Sequence, residues 1–137
     1  MRRERAQGQR LAEAAAGFVG VPFRLFGREP ARGLDCVGLV HASLAAMGHR
    51  LAAPQGYGLR NTAPEAWFGF AEVAGFEQVK GRIAPGDVVM VQPGPGQQHL
   101  IVAENGNTGI HAHAGLRRVV RQPIAFPDAP LAHWRLP

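Results

Sequence analysis

LDCVGLVHASLAAMGH, residues 34–49, carries apolar side chains at Val37, Val40, Leu44 and Met47, the three- and four-residue spacing of a helix, and Gly48 supplies a C-terminal stop. The segment is nearly apolar all round, which predicts a buried central helix rather than a surface one. Asp35 stands just before it as an N-cap, so Cys36 falls in the first turn. Toward the N-terminus lies a loop rich in Gly, Arg and Pro over residues 21–33. Before that, an alanine-rich stretch from Arg3 to Val19 places Leu11, Ala14, Ala15 and Phe18 at helical spacing and is closed by Gly20 and Pro22.

In the other direction, residues 49–64 carry Pro54, Gly56, Gly58 and Pro64 and read as an irregular crossing, followed by a short helix over Pro64 to Phe70. Short β-type segments follow at Phe76–Val79, Val88–Gln92, His99–Ala103, Gly109–His113, Leu116–Arg121 and Ala132–Leu136, divided by Pro-Gly-Asp, Gly-Pro-Gly, Asn-Gly and Ala-Gly breaks. Helices first and then a run of strands predicts an α+β fold, an antiparallel sheet packed on the second helix. With 137 residues, 46% of them hydrophobic and 18% charged, the chain fits one globular domain spanning residues 1–137. No apolar run approaches the roughly 20 residues that span a bilayer. The N-terminal arginines begin like a signal peptide, but Glu4 and Glu13 interrupt the apolar region such a peptide needs. The expectation is therefore a protein made in the cytoplasm without a signal peptide.

Cys36 is the single cysteine, which excludes an internal disulfide framework and a cysteine-based zinc site. A net charge of +5, almost wholly arginine, suits anionic surfaces. The arginines are scattered, without the interleaved aromatics of a nucleic-acid surface, so no nucleic acid is expected as partner. A lone buried cysteine is commonly a core residue. Here the helix N-terminus favours the thiolate and predicts a lowered pKa for Cys36. A cysteine nucleophile needs a base, and the base needs a third group to orient it. His99 and His111 supply both, provided that their side chains share a sheet face. A three-residue loop of Glu104, Asn105 and Gly106, with Gly106 left-handed, pairs Ala103 with Asn107, sets His99 opposite His111 and satisfies that condition. A two-residue Asn-Gly loop sends them to opposite faces. His113 shares the face of His111, so a three-nitrogen zinc site is the competing arrangement, and it lacks a nearby carboxylate for the outer shell. No metal and no other cofactor is expected. His41, His49 and His133 read as ordinary structural residues.

Three stretches resemble the NlpC-type family of bacterial cell-wall cysteine peptidases. PFRLFGREPARGLDCVGLV, residues 22–40, looks like its nucleophile segment, in which an aromatic residue precedes a Gly-rich loop and Asp-Cys-x-Gly at a helix start. IAPGDVVMV resembles the strand entry before the base, and HLIVAENGNTGIHAHAG resembles the segment that holds the base and the orienting residue. The resemblance implies a papain-like fold and a cysteine peptidase cutting the amide bond between D-glutamate and a diamino acid in peptidoglycan stem peptides. It implies Cys36 as nucleophile, His99 as base and His111 as orienting residue, with Asp35, Phe23 and the Cys36 backbone N–H in support. The family commonly has tyrosine where Phe23 stands and serine where Val37 stands. The compact form resembles peptidases carried by phage tails or gene-transfer particles, which implies tail-tip proteins as partners and delivery to the cell wall. A structural tail-assembly or wall-binding module with little activity, and acyl transfer or lipid chemistry on the same scaffold, are the other functions this sequence admits.

Overall fold

The structure, a computed structural model, describes residues 2–52, 63–94, 97–124 and 132–137. Helix α1 (Arg2–Ala16) is followed by a two-stranded hairpin, β1 (Arg28–Glu29) and β2 (Gly33–Leu34), then by α2 (Cys36–Ala46) and α3 (Ala63–Ala74). The remaining strands are β3 (Glu77–Val79), β4 (Val88–Gly94), β5 (Gln97–Ala103), β6 (Thr108–His113), β7 (Arg118–Pro123) and β8 (Ala132–Arg135). They form one sheet in the order β3-β8-β4-β5-β6-β7, antiparallel throughout. The α+β architecture expected from the sequence is the one observed. The residues 21–33, expected as plain loop, contain the small β1–β2 hairpin, and α3 begins and ends beyond its expected limits. Most of the expected crossing at residues 49–64 lies outside the described residues.

Helix α2 is the hub. Val37, Gly38, Leu39, Val40, Ala42, Ser43 and Leu44 are all buried, and they share one core with Leu11 and Ala15 of α1 and with Leu100, Val102, Ile110, Ala112 and Val119 of the sheet. At about 25 cal/mol per Å² of apolar surface, a helix with seven of its eleven residues buried gains far more from packing than from helix propensity. Ser43 satisfies its hydroxyl by donating to the Leu39 carbonyl 2.7 Å away. Met47 caps the helix and Gly48, at φ 99°, takes the left-handed turn that ends it. Trp67 of α3 is fully buried against Trp134 of β8, ring centroids 5.4 Å apart and edge-on, which ties α3 to the β8 end of the same core.

The Pro85-Gly86-Asp87 entry to β4 has a structural role. Asp87 is fully buried; its carboxylate accepts from Ala84 N at 2.9 Å and from Arg135 Nε and Nη2 at 2.8 and 2.9 Å. This two-pronged ion pair bolts β4 to β8. Gly8 of α1 lies so close to Pro85 and Gly86 that a side chain on Gly8 or Gly86 would collide with main chain, so α1 is seated on the same corner. His133, with Nε2 3.6 Å from the Asp87 carboxylate, belongs to this corner, and His41 bonds the Leu51 carbonyl at 2.8 Å.

Candidate active site

Cys36 is the first residue of α2, and Asp35 is its N-cap: Asp35 Oδ1 accepts from Gly38 N at 2.8 Å. The same carboxylate accepts from Phe26 N at 2.8 Å and from Arg28 Nη1 at 2.8 Å. Asp35 thus fastens the preceding loop to the start of the helix. Gly38 completes the joint, because a Cβ there would run into the Gly27 carbonyl, which explains glycine two residues after the cysteine. Phe23 is half-buried against the core, with its N–H donating to the Arg117 carbonyl at 2.9 Å. Val37 is fully buried. The position where the family commonly has serine therefore faces the core here.

His99 lies on β5 and His111 on β6. His99 Nε2 and His111 Nδ1 are hydrogen-bonded at 2.7 Å, with ring centroids 4.9 Å apart and edge-on. The structure brings these two together, but not by the expected register. Ala103 pairs with Gly109, not Asn107, so the connection is longer and His111 lies diagonal to His99 rather than directly opposite. Asn105 makes the difference: its side-chain oxygen accepts from both Asn107 N and Thr108 N at 2.8 Å, closing an Asx turn. Gly106 is not left-handed. The shift is two residues, so the faces are unchanged and the two rings still meet.

The thiol of Cys36 is approached by the backbone N–H of Leu100, the residue after His99. Cys36 itself is half-buried and is a free thiol. Its pKa is pushed up from 9.0 to about 12, first by burial and then by the Asp35 carboxylate, against weaker opposing pulls from the N–H groups of Leu100, Val37 and Cys36. That reverses the lowering expected from the helix start. Exclusion of water and an adjacent negative charge outweigh the helix N-terminus. His99 is lowered to about 3 by burial and by the neighbouring His111 and His113. His111 is lowered as well, chiefly by burial and by His113, against a hydrogen bond from Gln122 that raises it. At neutral pH the thiol and both rings are uncharged.

Two contributors escape a sequence reading. Gln122 of β7 accepts at Oε1 from His111 Nε2 at 2.8 Å, and the expected strand, ending at Arg121, stops one residue short of it. The Leu100 N–H belongs to the backbone and leaves no trace in side-chain pattern. His113 lies beside His111, ring centroids 5.5 Å apart, but its Nδ1 accepts from Leu116 N at 3.0 Å. Among the described residues no group of three metal-ligating side chains is assembled, and no helix is long and apolar enough to cross a membrane.

Residues 20–125 match the family model described as the NlpC/P60 family. The chain belongs to the NlpC/P60 family. It is thereby a cysteine peptidase of the peptidoglycan-hydrolase type, with the α+β papain-like fold expected from the three motifs. Among solved structures it is similar to the NlpC/p60 domain of the peptidoglycan hydrolase SagA, at 23% identity and a TM-score of 0.62, over 92% of this chain and 96% of that one. It is also similar to the peptidoglycan hydrolase RipB from Mycobacterium tuberculosis, at 19% identity and 0.63, over 98% of this chain and 67% of that one. With NlpC2 from Trichomonas vaginalis the values are 17% and 0.67, over 93% of this chain but only 47% of that one. No curated protein sequence matches. These NlpC/P60 structures share the fold.

The lowered histidines and the raised thiol set the pH dependence of stability. Below about 6.5 an unfolded chain binds protons at His111, and at His99 down to about 3, that the folded chain refuses, so stability falls as the pH drops below about 6.5. Above about 9 the unfolded chain releases a Cys36 proton that the folded chain keeps, so stability falls again as pH rises toward 12. Thermal melts of the NlpC/P60 chain are expected to plateau between those limits. His99→Gln should flatten the acid limb and Cys36→Ala the alkaline one. Limbs of unchanged slope in both variants would contradict these assignments.

Proposed function

We propose that this chain hydrolyses an amide bond of peptidoglycan stem peptides, the one joining D-glutamate to a diamino acid, through Cys36, His99 and His111. The observation that carries this reading is the 2.7 Å bond between His99 Nε2 and His111 Nδ1, formed between two strands that pack against α2, the helix that begins at Cys36. With Nε2 engaged, Nδ1 is the nitrogen of His99 left to act as base. It takes the thiol proton as sulfur attacks the scissile carbonyl. The backbone N–H of Cys36 at the helix start stabilises the developing oxyanion. His99 then returns the proton to the leaving amine, giving a thioester, and activates the water that hydrolyses it.

The uncharged resting pair gives this mechanism a particular form. Burial holds the Cys36 thiol up at about 12 and the His99 imidazole down at about 3, which disfavours a thiolate–imidazolium pair in the free enzyme. Proton transfer is coupled to attack, once substrate has displaced water and aligned the carbonyl. Purified sacculi incubated with the protein should release fragments whose masses place the cut between D-glutamate and the diamino acid, and chelators should leave the rate unchanged. Fragments cut only in the glycan strand, or activity removed by chelator and untouched by iodoacetamide, would overturn the proposal.

A further inference from the structure

Across β5, β6 and β7 runs a chain of two hydrogen bonds: His99 Nε2 to His111 Nδ1 at 2.7 Å, and His111 Nε2 to Gln122 Oε1 at 2.8 Å. The backbone register builds it. Gly109 pairs with Gln122 and His111 with Val120, so Gln122 and His111 stand on the same sheet face as diagonal neighbours. A neutral imidazole has one donor nitrogen and one acceptor, and an amide oxygen can only accept. If Gln122 presents its oxygen, His111 must carry its proton on Nε2. His111 Nδ1 is then an acceptor, His99 must donate from Nε2, and His99 Nδ1 is left bare. Turning the amide over reverses every step. Its NH2 would donate to His111 Nε2, His111 would donate from Nδ1, and His99 would carry its proton on Nδ1, where it could accept none from a thiol. The end of the chain thus decides whether its beginning is a base.

We propose that Gln122 is a positioning residue of this hydrolase: its amide oxygen fixes the tautomer of His111 and, through it, keeps His99 Nδ1 free to accept a proton. The inference rests on the Cys36–His99 reading of the proposed function and adds to it a residue that touches neither substrate nor nucleophile. Gln122 lies near the end of an edge strand and is half-buried, so its replacement leaves the core intact. Gln122→Met keeps the length and removes the acceptor. Gln122→Glu keeps the acceptor and adds a negative charge that stabilises a protonated His111.

The test has an arm that does not depend on activity. In the full chain at neutral pH, long-range proton–nitrogen NMR spectra should give His99 and His111 both as Nε2–H tautomers, and Gln122→Met should turn His111 and His99 into mixtures. In the sacculus assay Gln122→Met should lower kcat about ten- to a hundredfold with KM unchanged, the range for losing the partner of a functional imidazole. Gln122→Glu should restore most of kcat and move the acid limb of the pH–rate profile upward. Full kcat and unaltered tautomers in Gln122→Met, with Cys36 still essential in the wild type, would overturn the role of Gln122 alone. A wild-type protein without thiol-dependent hydrolysis would overturn the hydrolase reading, and this inference with it.

Discussion

Cys36→Ala is expected to lower release of stem-peptide fragments by at least about a thousandfold, because no other group in the chain can form the thioester. The fold should survive. Cys36 is half-buried at the very start of α2, and the residues that hold the helix in place, Val37, Leu39, Val40 and Leu44, are untouched. A melting temperature within a few degrees of wild type, together with lost activity, is the expected pair of results. His99→Ala should cost about as much, and the double variant scarcely more than either single one, since nucleophile and base act as one unit. Additive losses would mean that the two residues work independently.

Asp35→Ala should produce the largest loss of stability of any single change near the site. Asp35 is 3% exposed and holds three groups at once: the N–H of Gly38 in the first turn, the N–H of Phe26 and the guanidinium of Arg28, whose side chain is itself largely buried. Losing a helix cap costs about 1 kcal/mol, and breaking a buried ion pair about 3–5 kcal/mol. For a chain of this size the sum corresponds to a melting temperature lower by roughly 14–21 °C. Asp35 also raises the Cys36 pKa, so its removal should make the thiol easier to ionise. Asp35→Asn separates the two effects. It keeps an acceptor for Gly38 N and removes the charge, so it should melt above the alanine variant while its thiol reacts faster with iodoacetamide than wild type. An alanine variant as stable as wild type would show that the cap and the ion pair contribute little.

The reading of residues 34–49 transfers to the structure because every local cue there agrees with the tertiary one: apolar spacing, a capping aspartate, a closing glycine and burial of most of the helix. The six strand segments of the second half were legible for a similar reason, since Gly, Pro and Asn punctuate them at short intervals. Register was not, because it depends on what Asn105 does with its side chain, and an Asx turn and a left-handed glycine leave the same letters in the sequence. The parity of the hairpin was enough to bring His99 and His111 together even so. The direction of the thiol pKa was missed first through burial of the sulfur and second through Asp35. The value of Asp35 as a cap is visible in the sequence, but burial strips water from the sulfur and the Asp35 charge then adds to the rise. Gln122 escaped because its partner, His111, is on a neighbouring strand and only the pairing of β6 with β7 brings them within reach.

Intact-protein mass spectrometry of the enzyme, quenched in acid during turnover of a stem peptide, tests the mechanism at its reacting atom. A covalent adduct with the mass of the acyl half of the peptide is expected, mapping to Cys36 and absent from His99→Ala. Continued turnover with no adduct, or an adduct on any other residue, would contradict a sulfur nucleophile served by that histidine.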